Sequence, residues 1–193
     1  MFVLAFAASA GAAQAADPPA AQAVPARPAS ALQDENLIVP LPAGFKVGFG
    51  TRQGQMQITE MVPAGETVQD WSSMVTEQIF YGRRNEDPKT FPTALDAGWR
   101  RACPGGSGQE LKNVQENGYP VAIWMFLCPL NPATNKPESM WLKVISGADS
   151  LYSVQYAYRA APTREMIPPT MAYLRQVLVC DTRAAPHPCP AGM

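Results

Sequence analysis

Eight consecutive residues, Val121 to Cys128 (VAIWMFLC), are apolar without interruption. A strand that is apolar at every position has no wet face. It predicts a central strand covered on both sides. The chain is therefore expected to build a layered structure, with a sheet in the middle.

Flanking strands are found by alternation and by turn chemistry. Val47 to Arg52 and Met56 to Val62 are joined by Gln53-Gly54 and predict a hairpin. In the second of these, Met56, Ile58 and Glu60 share a face. Glu110 to Gln115 is a weaker strand, followed by Asn117-Gly118, a strong hairpin signal. Met140 to Ser146 and Leu151 to Tyr158 pair across Gly147-Ala148-Asp149-Ser150, with Tyr152, Val154, Tyr156 and Tyr158 facing one way.

Three helices are expected. The first starts at Thr67, where Thr67-x-x-Asp70 has the form of a capping box. Val68, Trp71, Val75 and Ile79 recur at three- and four-residue steps, and Gly82 ends it. The second runs from Pro92 to Ala102, with Phe91, Leu95 and Trp99 on its apolar stripe and Cys103-Pro104-Gly105-Gly106 as a stop. The third opens at Pro168-Pro169 and turns Met171, Leu174, Val177 and Leu178 inward. The order β-β-α-α-β-β-β-β-α predicts an α+β sandwich: a mainly antiparallel sheet of about six strands covered by helices.

That layout resembles the fold of the photosystem extrinsic subunit PsbP and its bacterial relatives. The stretch Ile58-Thr59-Glu60-Met61-Val62-Pro63-x-Gly65-Glu66-Thr67-x-x-x-Trp71-x-x-Met74-x-Thr76-x-Gln78 also resembles a group of uncharacterised exported bacterial proteins. The resemblance implies an exported α+β domain and brings no catalytic set. A role in oxygen evolution does not transfer with it, because fold does not fix function.

Export is also read from the N-terminus. Residues 1–15 (MFVLAFAASAGAAQA) hold an apolar run and then small residues. Ala13-Gln14-Ala15 has the form cut by a signal peptidase, so cleavage is expected before Ala16. No Lys or Arg precedes the apolar run, which leaves open a start further upstream. Residues 16–36 are rich in Pro and Ala and predict a disordered, partly extended tether. A single domain is expected over 37–181, and a Pro/Ala-rich tail over 182–193. No transmembrane helix is expected in the mature chain, which points to a periplasmic or secreted protein.

Four cysteines fit that compartment: Cys103, Cys128, Cys180 and Cys189. Four allow three pairings. Cys103 with Cys128 and Cys180 with Cys189 is the preferred set. The first would close a loop worth about 3.5 kcal/mol in the chain-entropy model. No Cys-x-x-Cys occurs, which disfavours a redox motif or a zinc ribbon.

Composition removes several function classes. With 15 Lys+Arg against 16 Asp+Glu, the formal charge of -1 argues against a nucleic-acid partner held through many phosphates. The one histidine, His187, disfavours a Ser/His/Asp triad, a Cys/His dyad and histidine metal sites. Neither metal nor cofactor is implied. Glu60, Glu66, Asp70 and Glu77 are the densest carboxylates, but their spacing fixes no acid/base pair. Glu60 would need a partner such as an arginine if buried. Ser107 in Gly105-Gly106-Ser107-Gly108 has no nearby histidine to activate it.

One contact site is a candidate. Tyr81, Arg83, Arg84, Arg100 and Arg101 would converge if the first two helices end near each other. Such a cluster would suit an anionic headgroup, a carboxylate or a partner protein. Trp71, Trp99, Trp124 and Trp141 fit either a core or an apolar pocket. The expected function is an envelope accessory or binding module without catalytic machinery, its partner an envelope protein or a small ligand. A carrier of a small apolar molecule or lipid and a carboxylate-dependent hydrolase are the alternatives.

Overall fold

A computed structural model describes residues 32–190. The expected signal peptide, the tether up to residue 31 and the last three residues of the tail lie outside the described residues. Glu35 and Asn36, the last two residues assigned to the tether, belong to the first strand.

The elements run β1 (Glu35–Ile38), β2 (Phe45–Gln53), β3 (Met56–Pro63), β4 (Ser73–Tyr81), α1 (Thr90–Ala102), β5 (Ser107–Glu116), β6 (Tyr119–Asn131), β7 (Lys136–Ser146), β8 (Ser150–Tyr158), α2 (Ile167–Gln176) and β9 (Leu178–Asp181). Seven strands form one antiparallel sheet in the order β2-β3-β4-β8-β7-β6-β5, and β1 pairs with β9 in a separate ribbon. The sheet is thus two meanders, β2-β3-β4 and β5-β6-β7-β8. They are joined along β4 and β8, from Ser73 opposite Tyr158 to Tyr81 opposite Ser150.

The expected α+β class is overturned. The described residues are mostly β, 48% strand against 14% helix, and hold two helices where three were expected. The segment expected as the first helix is where the expectation fails. Thr67 Oγ1 does accept the Asp70 N–H at 3.1 Å, as a capping box would arrange. No helix follows. Glu66 accepts both the N–H and the hydroxyl of Ser72, and Trp71 lies under the Arg159 guanidinium, 4.3 Å from the ring centre. These contacts fix a loop, and β4 begins at Ser73. Val75 and Ile79 are four apart, a spacing that is one helical turn and also two strand repeats. Their β-branching and flanking Thr76, Phe80 and Tyr81 favour the strand.

The run Val121–Cys128 is covered on both faces as expected. Val121, Ala122, Phe126 and Cys128 are all buried. It is not central, because β5 pairs outside it and forms one edge of the sheet. On one face α1 packs Phe91, Leu95 and Trp99 over Phe126, Met140, Leu142 and Val144. Trp99 Nε1 donates to the Leu127 carbonyl at 2.8 Å, and the Cys103–Cys128 disulfide ties the end of α1 to β6. On the other face α2 and the β1–β9 ribbon bring Tyr173, Leu174, Val177 and Val179 onto Trp141, Ile145, Tyr152 and Val154. Val177 and Leu178 do not continue α2. Val177 turns extended (ψ 122°), and Leu178 opens β9.

Two buried polar contacts lock the layers. Lys143, on β7, has a fully buried side chain. Its ammonium donates to the Leu174 and Val177 carbonyls at 2.9 and 2.7 Å and to the Glu116 carboxylate. Two carbonyls at the end of α2 thus find their donor in the sheet. Glu35 reaches from β1 into the β7–β8 turn. There it accepts the N–H groups of Asp149 and Ser150, the N–H of Ala148 and the Tyr152 hydroxyl. A Cβ on Gly147 would stand 2.3 Å from that carboxylate, so only glycine fits.

At the C-terminal end Cys180 and Cys189 are bonded. The tail they hold stacks His187 on Tyr119, ring centres 4.1 Å apart, over the Asn117-Gly118 turn. Both turn residues have positive φ, 46° and 79°, as a two-residue hairpin requires.

Candidate functional site

The same sheet face that carries α2 also carries a groove. The loop between β1 and β2 supplies Pro40, Leu41, Pro42 and Ala43, and β2 opens on Phe45. The floor is Tyr156 and Tyr158, whose alternation on β8 aims both rings to this face. Pro169, Tyr173 and Gln176 of α2 form the far wall. The groove holds about 400 Å³.

Its aromatic rings are fixed by one another. Tyr156 is the hub: its ring lies 5.0 Å from Tyr158 in a stacked arrangement, 5.3 Å from Tyr173 edge-on and 6.2 Å from Phe45 edge-on. Trp141 supports Tyr158 from the core at 5.9 Å. The hydroxyls are tied as well. Tyr173 donates to the Pro40 carbonyl at 2.8 Å, bridging α2 to the β1–β2 loop, and Tyr158 bonds Thr170 at 2.9 Å. A groove whose side chains are already ordered loses little entropy on binding.

A carboxylate stands close by. Glu77 is on β4, opposite Thr59 and Val154, on the face shared with Val75 and Ile79. Burial pushes its pKa up to about 7. No hydrogen bond or ion pair holds its charge among the described residues. Its proximity raises the Tyr173 phenol further above its ordinary range, after burial.

The expected arginine cluster does not assemble. It requires two helices ending together, and the first of them is a strand. Tyr81 ends β4, donates to Gln57 Oε1 at 3.0 Å and lies under Arg52. Arg83 is held bidentate by Glu86 and lies over Phe80, which meets Phe91 at the start of α1. Arg84 follows it in the same loop. Arg100 and Arg101 are at the other end of α1, about 14 Å further along the axis at 1.5 Å per residue. Arg100 pairs there with Asp96 at 2.8 Å.

The other candidates are dispersed too. Glu66 serves Ser72, which holds its pKa below the ordinary carboxylate range. Asp70 lies on the exposed loop, 3.5 Å from Arg159. Glu60 is partly buried on the opposite face from Glu77, its pKa raised by burial, and no arginine pairs with it among the described residues. Ser107 opens β5, while His187 sits beyond the other end of that strand. Trp141 is in the core, Trp99 joins α1 to β6 and Trp71 belongs to the loop before β4. The Trp124 Nε1 is buried without a hydrogen bond. Among the described residues, no three His, Cys, Asp or Glu side chains gather as a metal site, and no helix is long and apolar enough to cross a membrane.

The groove is half visible in the sequence. The Tyr152-to-Tyr158 alternation supplies its floor, and Leu41-Pro42-Ala43-Gly44 its rim. That α2 stands Tyr173 against them depends on tertiary packing alone. No family model matches the chain, and no curated protein matches it.

Proposed function

We propose that this chain is an exported, non-catalytic binding module whose tyrosine groove takes an extended, proline-containing peptide. The observation that carries the reading is the set of interlocked rings of Phe45, Tyr156, Tyr158 and Tyr173. Grooves lined by aromatic rings suit polyproline II segments, whose stiff backbone is ordered before it binds and whose prolines lie flat on the rings. The two disulfides fit an oxidising compartment, and so does the expected leader.

The test is a titration of the folded chain with a deca-proline peptide, followed through backbone amide shifts. The shifts are expected to cluster at 40–45, 156–158 and 169–176. Leu41 is 53% exposed at the rim, so Leu41→Asp leaves the core untouched. It is expected to weaken binding about tenfold, the effect of roughly 1.4 kcal/mol. Shifts scattered over the surface, or none at millimolar peptide, would remove the reading.

A further inference from the structure

We infer that two copies of this chain pair through the outer edge of β5, antiparallel over residues 112–116, with Val114 at the twofold axis. The inference is independent of what the groove binds.

An edge strand presents a row of N–H and C=O groups that a second strand can take. β5 is the last strand of its sheet and pairs with β6 alone among the described residues. Every residue from 109 to 115 is exposed, and Leu111 and Val114 keep 40% and 39% of their surface in water. The register shows which backbone groups point outward. Glu116 and Tyr119 flank the two-residue Asn117-Gly118 turn, so they exchange their N–H and C=O groups. Alternation then turns those of Val114 and Lys112 toward β6 and those of Asn113 and Gln115 away from it. Pro120 agrees: it stands opposite Gln115 and has no N–H to give.

The side chains are self-complementary in the same register. About Val114, Lys112 of each copy meets Glu116 of the other, Asn113 meets Gln115, and Val114 meets Val114. Lys112, Val114 and Glu116 stand opposite Ile123, Val121 and Tyr119 on one face, and Asn113 and Gln115 belong to the other. Each meeting therefore falls on one side of the joined sheet, where cross-strand pairs interact. Both Asn113–Gln115 pairs exchange their backbone hydrogen bonds. Glu116 gives Oε2 to Lys143, and its Oε1 remains to accept a second cation. The bulge at Leu111 and the turn after Glu116 bound the pairing run at its two ends. A centre at Leu111 fails, because the bulge puts Glu110 and Lys112 on opposite faces. At the other end of the sheet β2 carries Lys46 and Arg52 and no carboxylate, so two copies joined there would bring only cations together.

A twofold axis normal to the sheet keeps the faces in place, so α2 and the tyrosine groove of both copies open on the same side. β8 stands three strands in from the edge. Seven strand spacings, about 34 Å, therefore separate the two β8 strands. So short a pairing run makes a small interface, and a weak, reversible dimer is expected.

The experiment is sedimentation of the full exported chain from about 10 µM to about 1 mM, the span over which weak interfaces fill. A reversible step from one chain to two is expected. Amide hydrogen exchange should slow with concentration at Asn113 and Gln115 and stay unchanged at Lys112 and Val114, whose N–H groups already bond β6. Lys112→Glu replaces two ion pairs by two like-charge contacts and is expected to weaken the dimer by about tenfold or more. Asn113→Pro removes an outward N–H, leaves the ladder to β6 whole and is tolerated on an edge strand. It is expected to weaken the dimer to a similar extent, with a urea midpoint close to the parent's. A single chain at every concentration would overturn the inference, and so would a dimer that neither variant weakens. Mass that grows past two chains would also overturn it, since β5 would then be joining another surface head to tail.

Discussion

Replacing Glu77 by Gln is expected to leave stability nearly unchanged at pH 4 and to raise it by about 3 kcal/mol at pH 8. The folded protein holds this carboxyl's pKa near 7, against an ordinary value of 4.5, and burial is the cause. Below pH 4.5 both the folded and unfolded chains carry the proton, and the folded state bears no penalty. Between pH 4.5 and 7 the unfolded chain ionises while the folded chain does not, so stability falls as pH rises, by about 1.4 kcal/mol per unit. Above pH 7 both are ionised and the full penalty remains. A glutamine at this position has a similar shape and no charge to bury, so the variant escapes the loss. Urea unfolding of both proteins at the two pH values measures this directly. A gain of equal size at pH 4 and pH 8 would mean that ionisation is not the cause.

Lys143→Met is expected to act in the opposite direction, costing about 3 kcal/mol. The ammonium satisfies the Leu174 and Val177 carbonyls and the Glu116 carboxylate from a fully buried position. Methionine fills similar space but donates nothing. Buried acceptors left without a donor cost about 1–3 kcal/mol each, and breaking a buried ion pair costs about 3–5. The lower end applies because Glu116 keeps 32% of its side chain exposed and can turn to water. Glu116→Gln should also cost about 3 kcal/mol, because it leaves the fully buried Lys143 ammonium without its counter-charge. The urea midpoint of each variant is the readout. A Lys143→Met protein within about 1 kcal/mol of the parent would show that water replaces the ammonium at the end of α2.

Much of the fold is legible in the sequence, and the losses have definite causes. Asn117-Gly118 announces its hairpin because two successive positive-φ residues admit few others. VAIWMFLC announces a doubly covered strand because no wet face remains. Both disulfides form in the expected pairing. The segment from Thr67 to Tyr81 misleads because four-residue spacing belongs to a helix and to a strand alike, and because Thr67 makes its capping contact without a helix behind it. β1 and β9, four residues each, carry too little pattern to be seen alone. Each is set by the other's edge and by Glu35 and the Cys180–Cys189 bond. The arginine cluster falls with the helix that was to assemble it. Of the groove, the alternating tyrosines are visible in the sequence and the helix wall that completes it is not.

The seam between β4 and β8 also governs how the molecule can assemble. Each meander can zip up from local turns, but the two halves meet only when a loop of roughly 68 residues closes between Tyr81 and Ser150. The Cys103–Cys128 bond lies inside that loop and shortens it to roughly 44. Loop-closure entropy grows only as the logarithm of length, so the shortcut lowers the cost of closing the seam by about 0.4 kcal/mol. The bond does little to hasten the meeting of the halves. Its weight falls on the far meander, whose helix it keeps in place over the strands while the seam is still open.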